Sequence, residues 1–326
     1  MTTETPACGL GRDRGQGGGG RISPPASRSD RATWLAERRT GIGGSDAAAV
    51  LGLSPWKTPL QVYLEKRGET PEVQETAPMR WGTLQEPVIR AWYEIETGRH
   101  VEVPALLRHP EHHWMFCSLD GIADGKRLLE IKTSRSGRDW GEPGTDQVPQ
   151  AYLLQVQHYL AVTALPIADV AVLVGGNDPR IYEVPADAEL QAMLIDAEME
   201  FWRRVLEGDP PSPTSIADAR ALWGRQSNAV SVVATTEIER TIVALRDLRE
   251  TQKDLEDRAD ELTTAILAAL GEADTLIDPA GRTLATWKLA KAAERFDGKR
   301  FAADHPDLHA QYKTAGEPTR RFLLKQ

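Results

Sequence analysis

The chain has 326 residues, more than a single domain usually holds, and its hydrophobic content of 40% is enough to form a buried core. Its formal net charge of -9 argues against general electrostatic binding to a polyanion, although a local basic groove can exist on an acidic protein. No apolar run approaches the ~18 residues of a membrane span, and the first residues lack the apolar segment of a secretory signal. We therefore expect a cytoplasmic protein without membrane association.

Composition divides the chain into segments. Residues 1–28 contain almost no large apolar side chain and are predicted to be disordered. The two cysteines, Cys8 and Cys117, are too few for a disulfide framework or a metal cluster of their own. Beyond the tail we expect a folded α/β domain over 29–208, a linker over 209–236, a coiled-coil helix over 237–271 and a small basic, aromatic module over 272–326.

The folded domain is predicted to begin with a helix from Ser29–Asp30 to Gly41. The next segment, GIGGSD, is a glycine-rich turn that leads into a helix capped by Ser45 or Asp46. The backbone N–H groups of such a junction can bind an anion, and an ordinary turn with a helix cap is the alternative.

Hydrophobic periodicity predicts alternating helices and strands, and hence a layered α/β domain with a mixed central sheet. Helices are expected over 58–68, 79–99, 150–163 and 186–207, and strands over 100–109, 167–174 and 180–184. In the helix over 79–99, Glu86 lies beside a broad apolar face formed by Trp81, Leu84, Val88, Ile89, Trp92 and Ile95. The histidines of 109–113 match no zinc spacing and are predicted to lie in a solvated loop.

Residues 116–133, FCSLDGIADGKRLLEIKT, are predicted to form a β-hairpin that carries three ionisable groups among apolar residues. Glu130 and Lys132 are two residues apart, so they share one face of their strand. With a three-residue loop over 123–125 and Gly125 in the left-handed conformation, Asp120 faces Leu128 and lies diagonal to Glu130. All three ionisable groups then converge, whereas a two-residue loop would put Asp120 on the opposite face.

The segments beyond the hairpin add a polar loop and a long charged helix. Residues 134–149 form a glycine-rich loop with Arg135 and Arg138, long enough to be functional. The helix over 237–270 has apolar residues at two heptad positions, with Gln252 as a polar exception, and predicts a coiled coil within an antiparallel helical pair or between chains. After a hairpin over 275–289, basic and aromatic residues alternate, as in a nucleic-acid surface or in the core of a small domain.

Two carboxylates and a lysine on one sheet face are unfavourable without a partner, because like charges repel and the lysine loses hydration. A divalent cation resolves this conflict. Asp120, Glu130 and the carbonyl of Ile131 offer hard oxygen ligands for Mg²⁺ or Mn²⁺, and Glu86 can add another. With Lys132 to orient water or stabilise charge on a phosphate, phosphodiester hydrolysis fits these groups.

Asp120 followed by Glu130-Ile131-Lys132 resembles the PD-(D/E)xK nuclease motif, and Glu86 with Gln155-xxx-Tyr159 resembles the additional motifs of its RecB-like branch. The segments 34–45, 81–86, 117–121 and 155–157 are similar to the YqaJ-type viral recombinase and phage lambda exonuclease family. The resemblance covers about 30–208. It implies a restriction-endonuclease-like α/β core and a Mg²⁺-dependent 5′ to 3′ exonuclease on double-stranded DNA ends, with Mn²⁺ as a substitute. It also implies a RecT-like single-strand annealing partner in phage or prophage recombination.

The resemblance assigns roles to individual residues. Glu86, Asp120, Glu130 and the Ile131 carbonyl become metal ligands, Lys132 becomes catalytic and Gln155 supports the active site. Residues that engage the 5′ phosphate or DNA are Arg38, Ser45, the adjacent Arg39, Ser118 and Arg135.

Leu119 stands where the motif's name has proline, a departure that concerns the turn more than the chemistry. The C-terminal extension is a larger departure, and it leaves the trimer implied by the resemblance open. A Cas4-type nuclease is a weaker alternative, because the chain lacks a four-cysteine set. A non-catalytic DNA-end binding or coiled-coil scaffold protein is the other.

Overall fold

The computed structural model describes residues 36–70, 76–225, 230–316 and 318–325. The predicted tail over 1–28 and the predicted helix start at Ser29 lie outside these residues. The chain divides into two compact units, Met1–Asp218 and Ala219–Gln326. In the described residues no helix has both the length and the apolar character to cross a bilayer.

In its described residues, the first unit is a mixed α/β structure with two sheets. Its elements are β1 (Ile42–Gly43), α1 (Gly44–Val50), α2 (Pro59–Arg67), α3 (Ala77–Thr97), β2 (Val101–Glu102), β3 (Leu107–Arg108), β4 (Met115–Cys117), β5 (Gly121–Ala123), β6 (Arg127–Ser134), α4 (Gln150–Thr163), β7 (Ile167–Val174), β8 (Asp178–Pro185) and α5 (Ala188–Glu207). The five-stranded sheet has the order β2-β5-β6-β7-β8, parallel only between β6 and β7. The three-stranded sheet has the order β1-β4-β3, with β1 parallel to β4.

Local sequence accounts for the helix ends. Thr58 caps α2 by accepting a hydrogen bond from the Gln61 N–H, and Gly68 ends it with a left-handed φ of 70°. For α1 the expected cap at Ser45 or Asp46 is wrong. Gly43 is the cap, and Asp46 accepts a hydrogen bond from the Gly43 N–H at 3.4 Å.

The five-stranded sheet is covered on both faces, because successive residues of β6 point to opposite sides. Leu128 joins a cluster with Val156 of α4, and Leu129 joins a second cluster with Ile89 of α3. This alternation also fixes where polar side chains of β6 lie. Glu130 and Lys132 have the same parity as Leu128 and therefore point to the α4 side.

Two predicted elements of the first unit differ from the structure. The single strand expected over 100–109 is two short strands in different sheets, β2 and β3, separated around Pro104, which has no N–H for a strand ladder. The predicted apolar face of α3 is not a core face. Ile89 is buried and Trp92 is half-buried, while four of its members are exposed: Trp81, Leu84, Val88 and Ile95.

The second unit contains α7 (Thr236–Leu270), β9 (Thr275–Ile277), β10 (Thr283–Thr286), α8 (Gly298–Asp304) and α9 (Pro306–Tyr312). A further helix, α6 (Ile216–Trp223), lies within the region predicted as a linker. The long helix and the β9–β10 hairpin are confirmed. The alternative of a small domain with an aromatic core is wrong, because Trp287, Phe296, Tyr312 and Phe322 are exposed.

Candidate active site

The turn between β5 and β6 has three residues, as predicted, but it lies one position later in the chain. Ala123 pairs with Arg127, so the loop runs from Asp124 to Lys126. Gly125 has the predicted left-handed backbone, with φ 66°, and Asp124 also has a positive φ of 49°. The Lys126 N–H donates to the Ala123 carbonyl at 3.0 Å and closes the turn.

The strand register brings Asp120 and Glu130 to one face, although not by the predicted pairing. Gly121 pairs with Leu129, so Asp120 is next in line opposite Glu130, and the predicted pairing with Leu128 is wrong. The predicted and observed registers of β5 on β6 differ by two residues. Because side chains alternate with a period of two, this difference leaves Asp120 on the expected face.

Asp120 lies at a break in the predicted first arm of the hairpin. The arm is two strands in different sheets, β4 ending at Cys117 and β5 beginning at Gly121. The Asp120 carboxylate accepts a hydrogen bond from the Ile131 N–H at 2.7 Å, in place of a strand partner. The break therefore holds a carboxylate against β6.

Lys132, Glu130 and Gln155 form a closed polar network. The Lys132 ammonium donates to Glu130 Oε1 at 2.5 Å and to Gln155 Oε1 at 3.1 Å. Gln155 Nε2 of α4 donates to the same Glu130 oxygen at 2.7 Å and to the Tyr159 hydroxyl at 3.0 Å. Glu130 is 3% exposed and Lys132 18%, so the network opens to solvent on the lysine side.

Glu86 reaches this site from α3 and is paired with a cation. Arg90, one helical turn later, donates to the Glu86 carboxylate and, at 3.1 Å, to the Asp120 backbone carbonyl. The Glu86 side chain is 35% exposed, far more than that of Glu130. Arg90 thus joins α3 to the segment that carries Asp120.

The electrostatics of the carboxylates reflect burial and mutual repulsion. Burial, together with the neighbouring Asp120 charge, raises the pKa of Glu86 above its usual value, and burial also raises the pKa of Asp120. Burial raises the pKa of Glu130 to about 7; Lys132 opposes this rise, whereas Asp120 and Glu86 add to it. Burial alone would lower the pKa of Lys132, but Glu130 outweighs it and raises the pKa, so the ammonium stays protonated.

These residues suit a divalent cation by donor chemistry. The three carboxylates offer hard oxygens, and a bound cation would offset the burial and mutual repulsion that raise their pKa values. In the described part of the chain, however, no three Asp, Glu, His or Cys side chains are grouped so that one ion could bind them all. Arg90 and Lys132 now contact two of the carboxylates that such an ion would bind.

The predicted phosphate residues Arg38 and Ser45 lie together beside a buried ion pair. The Arg38 guanidinium donates to Ser45 Oγ at 3.2 Å and to Asp46 Oδ1 at 3.1 Å. Lys66 of α2 donates to Asp46 Oδ2 at 2.6 Å and to the Arg38 carbonyl at 2.9 Å. Burial would raise the pKa of Asp46, but Lys66 and Arg38 hold it far below its usual value. Arg38, Asp46 and Lys66 therefore form a fixed, ionised network.

A direct packing contact connects α1 with the Gln155 network. A Cβ on Gly44, the first residue of α1, would come within 2.3 Å of the Tyr159 ring, so only glycine fits there. Tyr159 in turn accepts the hydrogen bond from Gln155. Its ring thus lies between the start of α1 and the Gln155 network.

The other predicted DNA residues, Arg39, Ser118 and Arg135, are exposed. Arg39 extends toward Gly68 at the end of α2, away from the bonds that Arg38 makes with Ser45 and Asp46. The prediction missed Arg90 and Lys66. An i, i+4 spacing from Glu86 could have indicated Arg90, whereas Lys66 is close to Asp46 only through tertiary packing.

Comparison with known proteins identifies relatives of the chain. Residues 33–166 match the YqaJ-like viral recombinase domain. Over 312 residues the chain is 32% identical to the uncharacterized protein YqaJ from Bacillus subtilis (strain 168), which covers 92% of this chain and 96% of that protein.

Two solved exonuclease structures also resemble it. The alkaline exonuclease from Laribacter hongkongensis is 23% identical, with a TM-score of 0.45, over 55% of this chain and 94% of that one. A phage related exonuclease from Haemophilus somnus 129PT is 10% identical, with a TM-score of 0.40, over 52% of this chain and 96% of that one. From the YqaJ domain match and the sequence identity across nearly the whole of both proteins, we conclude that the chain belongs to the YqaJ-like viral recombinase family.

Proposed function

We propose that the chain is a metal-dependent DNA exonuclease with a PD-(D/E)xK core that acts on double-stranded DNA ends. Digestion in the 5′ to 3′ direction would leave single-stranded overhangs for phage or prophage recombination. The observation that carries the proposal is the buried network of Glu130, Lys132 and Gln155, with Asp120 and Glu86 within electrostatic reach. Membership of the viral recombinase family supports the same role.

In this proposal Glu86, Asp120, Glu130 and the Ile131 carbonyl would hold Mg²⁺, for which Mn²⁺ can substitute. When bound, such a cation supplies a water of lowered pKa and neutralises charge on the phosphate. The chain's own contribution is positioning and charge. The protonated Lys132 donates to an oxygen of the scissile phosphate, and Gln155 holds Lys132 and Glu130 in fixed orientation.

The end of the DNA would be recognised by Arg38 and Ser45. A guanidinium and a hydroxyl can bind a terminal phosphate together, and the buried Asp46 keeps Arg38 in place. With the 5′ phosphate held there, the adjoining nucleotides would extend toward Lys132, because Tyr159 and Gln155 connect the two sites. Exposed Arg39, Ser118 and Arg135 would contact the DNA backbone near this end.

Membership of the family supports a proposal for the biological setting. We propose that the enzyme works in the cytoplasm of a bacterial host and passes its single-stranded product to a RecT-like annealing protein. A homo-oligomer would keep the enzyme on one DNA end through many cleavage events.

Replacement of Lys132 or Glu130 should abolish the nuclease activity. We expect Lys132→Ala and Glu130→Ala to digest linear duplex DNA in Mg²⁺ at least about 100-fold more slowly, because the first removes the ammonium that donates to the reacting phosphate and the second removes a proposed ligand of the cation. Lys126→Ala is the matched control, since Lys126 is an exposed lysine in the turn of the same hairpin. Circular dichroism verifies folding, and Glu130→Gln replaces Glu130→Ala if the alanine variant unfolds.

Undiminished digestion by the Lys132 and Glu130 variants would contradict the site. A wild-type protein that binds duplex ends tightly but never cleaves them would favour the alternative, a non-catalytic DNA-end binding protein.

The identity of the end-binding arginine can be tested separately. Wild-type protein should digest 5′-phosphorylated duplexes faster than 5′-hydroxyl duplexes, and Arg38→Ala should abolish the difference. Arg39→Ala should preserve it, because Arg39 is exposed and extends toward Gly68, whereas Arg38 bonds to Ser45. Equal wild-type rates on both ends would contradict a 5′-phosphate pocket.

A further inference from the structure

A row of aromatic rings runs from the protein surface to the candidate catalytic lysine. Trp56 lies in the loop between α1 and α2, and its ring stacks on that of Tyr152, with centroids 5.6 Å apart and an interplanar angle of 26°. The Lys132 ammonium lies 4.8 Å from the centroid of the Tyr152 ring. One ring therefore separates Trp56 from Lys132.

The inner end of the row is fixed in the core. Tyr152 contacts Trp140 at a centroid distance of 5.7 Å, and Trp140 contacts Tyr182 at 5.1 Å. Trp140 and Tyr182 are buried, and the Tyr182 hydroxyl donates to the Gly141 carbonyl at 2.8 Å. Such packing limits the movement of the Tyr152 ring.

The outer end of the row is open. Trp56 is 64% exposed although one face of its ring stacks on Tyr152, so the other face is free to receive a planar ligand. Its backbone is held in place, because Ser54 Oγ accepts hydrogen bonds from the N–H groups of Trp56 and Lys57 at 3.2 and 3.3 Å. A tryptophan so exposed adds little to the core, and its fixed position suits binding.

We propose that Trp56 and Tyr152 form a stacking platform for a nucleobase next to the scissile phosphate. The inference deepens the proposed exonuclease function and depends on it for the place of the phosphate. With that phosphate at Lys132, the attached base lies within reach of the row. Stacking on an aromatic ring accepts every base, as an enzyme that digests DNA of any sequence requires.

Removal of the base and removal of the ring should have the same effect. The probes are 5′-phosphorylated duplexes with one abasic residue at the first or second nucleotide of the digested strand. For wild-type protein an abasic residue at one of these places should lower kcat/KM roughly 5- to 150-fold. Trp56→Ala should show a similar loss on the intact duplex and no further loss on the abasic one, since both changes remove one interaction.

Two variants separate stacking from structure. Trp56→Phe keeps an aromatic face and should recover most of the activity and the sensitivity to the abasic residue. Trp223→Ala removes an exposed tryptophan of α6, outside the basic, aromatic module, and should behave as wild type. Equal losses from the abasic residue in wild type and Trp56→Ala would overturn the platform.

A binding assay distinguishes this failure from that of the proposed function. Fluorescence anisotropy with the same duplexes in EDTA measures affinity without cleavage. Binding that depends on both the base and Trp56, in a protein that never cleaves, would support the platform and overturn the exonuclease. The opposite result is a protein that cleaves DNA but shows no dependence of the effect of the abasic residue on Trp56 in either assay. It would support the exonuclease and overturn the platform.

Discussion

Lys66 and Asp46 form an ion pair beside Arg38 and Ser45, and the side chains of the pair are both 1% exposed. Two buried charges are stable there because each has several partners: Asp46 also binds Arg38, and Lys66 also binds a backbone carbonyl. The lowered pKa of Asp46 means that its stabilising contribution is complete above ~3.9, the pKa in the unfolded chain, and is lost only as the pH falls through the lowered value.

Replacement of Lys66 should therefore be strongly destabilising. We expect Lys66→Met to lower the free energy of unfolding by roughly 3 kcal/mol, because it leaves a buried carboxylate with Arg38 as its remaining ion-pair partner. Lys57→Met is the control. Lys57 pairs with Glu65 where both side chains are partly exposed, and its loss should lower stability by about 1 kcal/mol or less.

Urea denaturation of both variants and the wild type measures the difference. Equal losses in the two variants would show that burial does not strengthen the Lys66 pair. The same Lys66→Met protein should also lose part of its preference for 5′-phosphorylated ends, since Arg38 would no longer be fixed through Asp46.

Local spacing could predict that the side chains of Glu130 and Lys132 share one face, because this depends only on the alternation of side chains along a single strand. It could also predict that Asp120 shares their face, since that result depends on the parity of the register. The pairing itself could not be predicted. Asp120 accepts a hydrogen bond from Ile131 at a break between two sheets, and nothing in the local pattern marks where a strand leaves one sheet for another.

At the scale of elements, a buried histidine joins α4, α5 and β4. His158 of α4 bonds through Nδ1 to Glu198 of α5 at 2.9 Å and through Nε2 to the Phe116 carbonyl of β4 at 2.9 Å. Both side chains of the His158–Glu198 pair are fully buried. Burial would lower the pKa of His158, but Glu198 and the Phe116 carbonyl outweigh it and raise the pKa.

This arrangement predicts a pH dependence of stability. A histidine whose pKa is raised on folding contributes fully below the unfolded value of ~6.5 and loses its contribution as the pH rises through the folded value. The free energy of unfolding should therefore fall above pH ~6.5, with a slope of at most about 1.4 kcal/mol per pH unit from this group. Glu198→Gln should flatten that slope, and urea denaturation at several pH values measures it.

The control is Glu200→Gln on the same helix, whose exposed carboxylate pairs with Arg203 in solvent. It should leave the slope unchanged. A slope above pH 6.5 that is identical in wild type and Glu198→Gln would show that His158 is not the group responsible.

Elements with a clear period and clear end signals were predictable from sequence. Gly68 ends α2 as expected, and β7 and β8 follow their apolar runs. The exposure of the outer face of α3 could not be predicted. Periodicity locates an apolar stripe on a helix, but it does not show whether another element covers that stripe. Trp81, Val88 and Ile95 follow such a stripe and are exposed, while Glu86 lies on the opposite side of the helix, toward the site.

For the molecule as a whole, α7 raises the question of what covers its apolar seam. The helix has 35 residues, about 50 Å in length, and Leu270 is its only buried residue. Leu248, Leu255 and Leu262 repeat at one heptad position and are all exposed. A long helix gains most of its stability from packing of such a seam, and no described residue of the second unit buries it. An exposed apolar seam of this kind suits pairing with a second copy of the chain, one of the two arrangements that its heptads predict.

We therefore expect the chain to self-associate through α7, with an average mass that rises with concentration in sedimentation velocity. Leu255→Lys should shift the protein toward the monomer, because a charge at the middle of the seam must be desolvated in the paired state. Asp257→Lys introduces the same side chain two residues away, outside the two seam positions, and should leave association unchanged. If both variants associate like the wild type, the seam is not the interface, and pairing of α7 within one chain becomes the better explanation of its heptads.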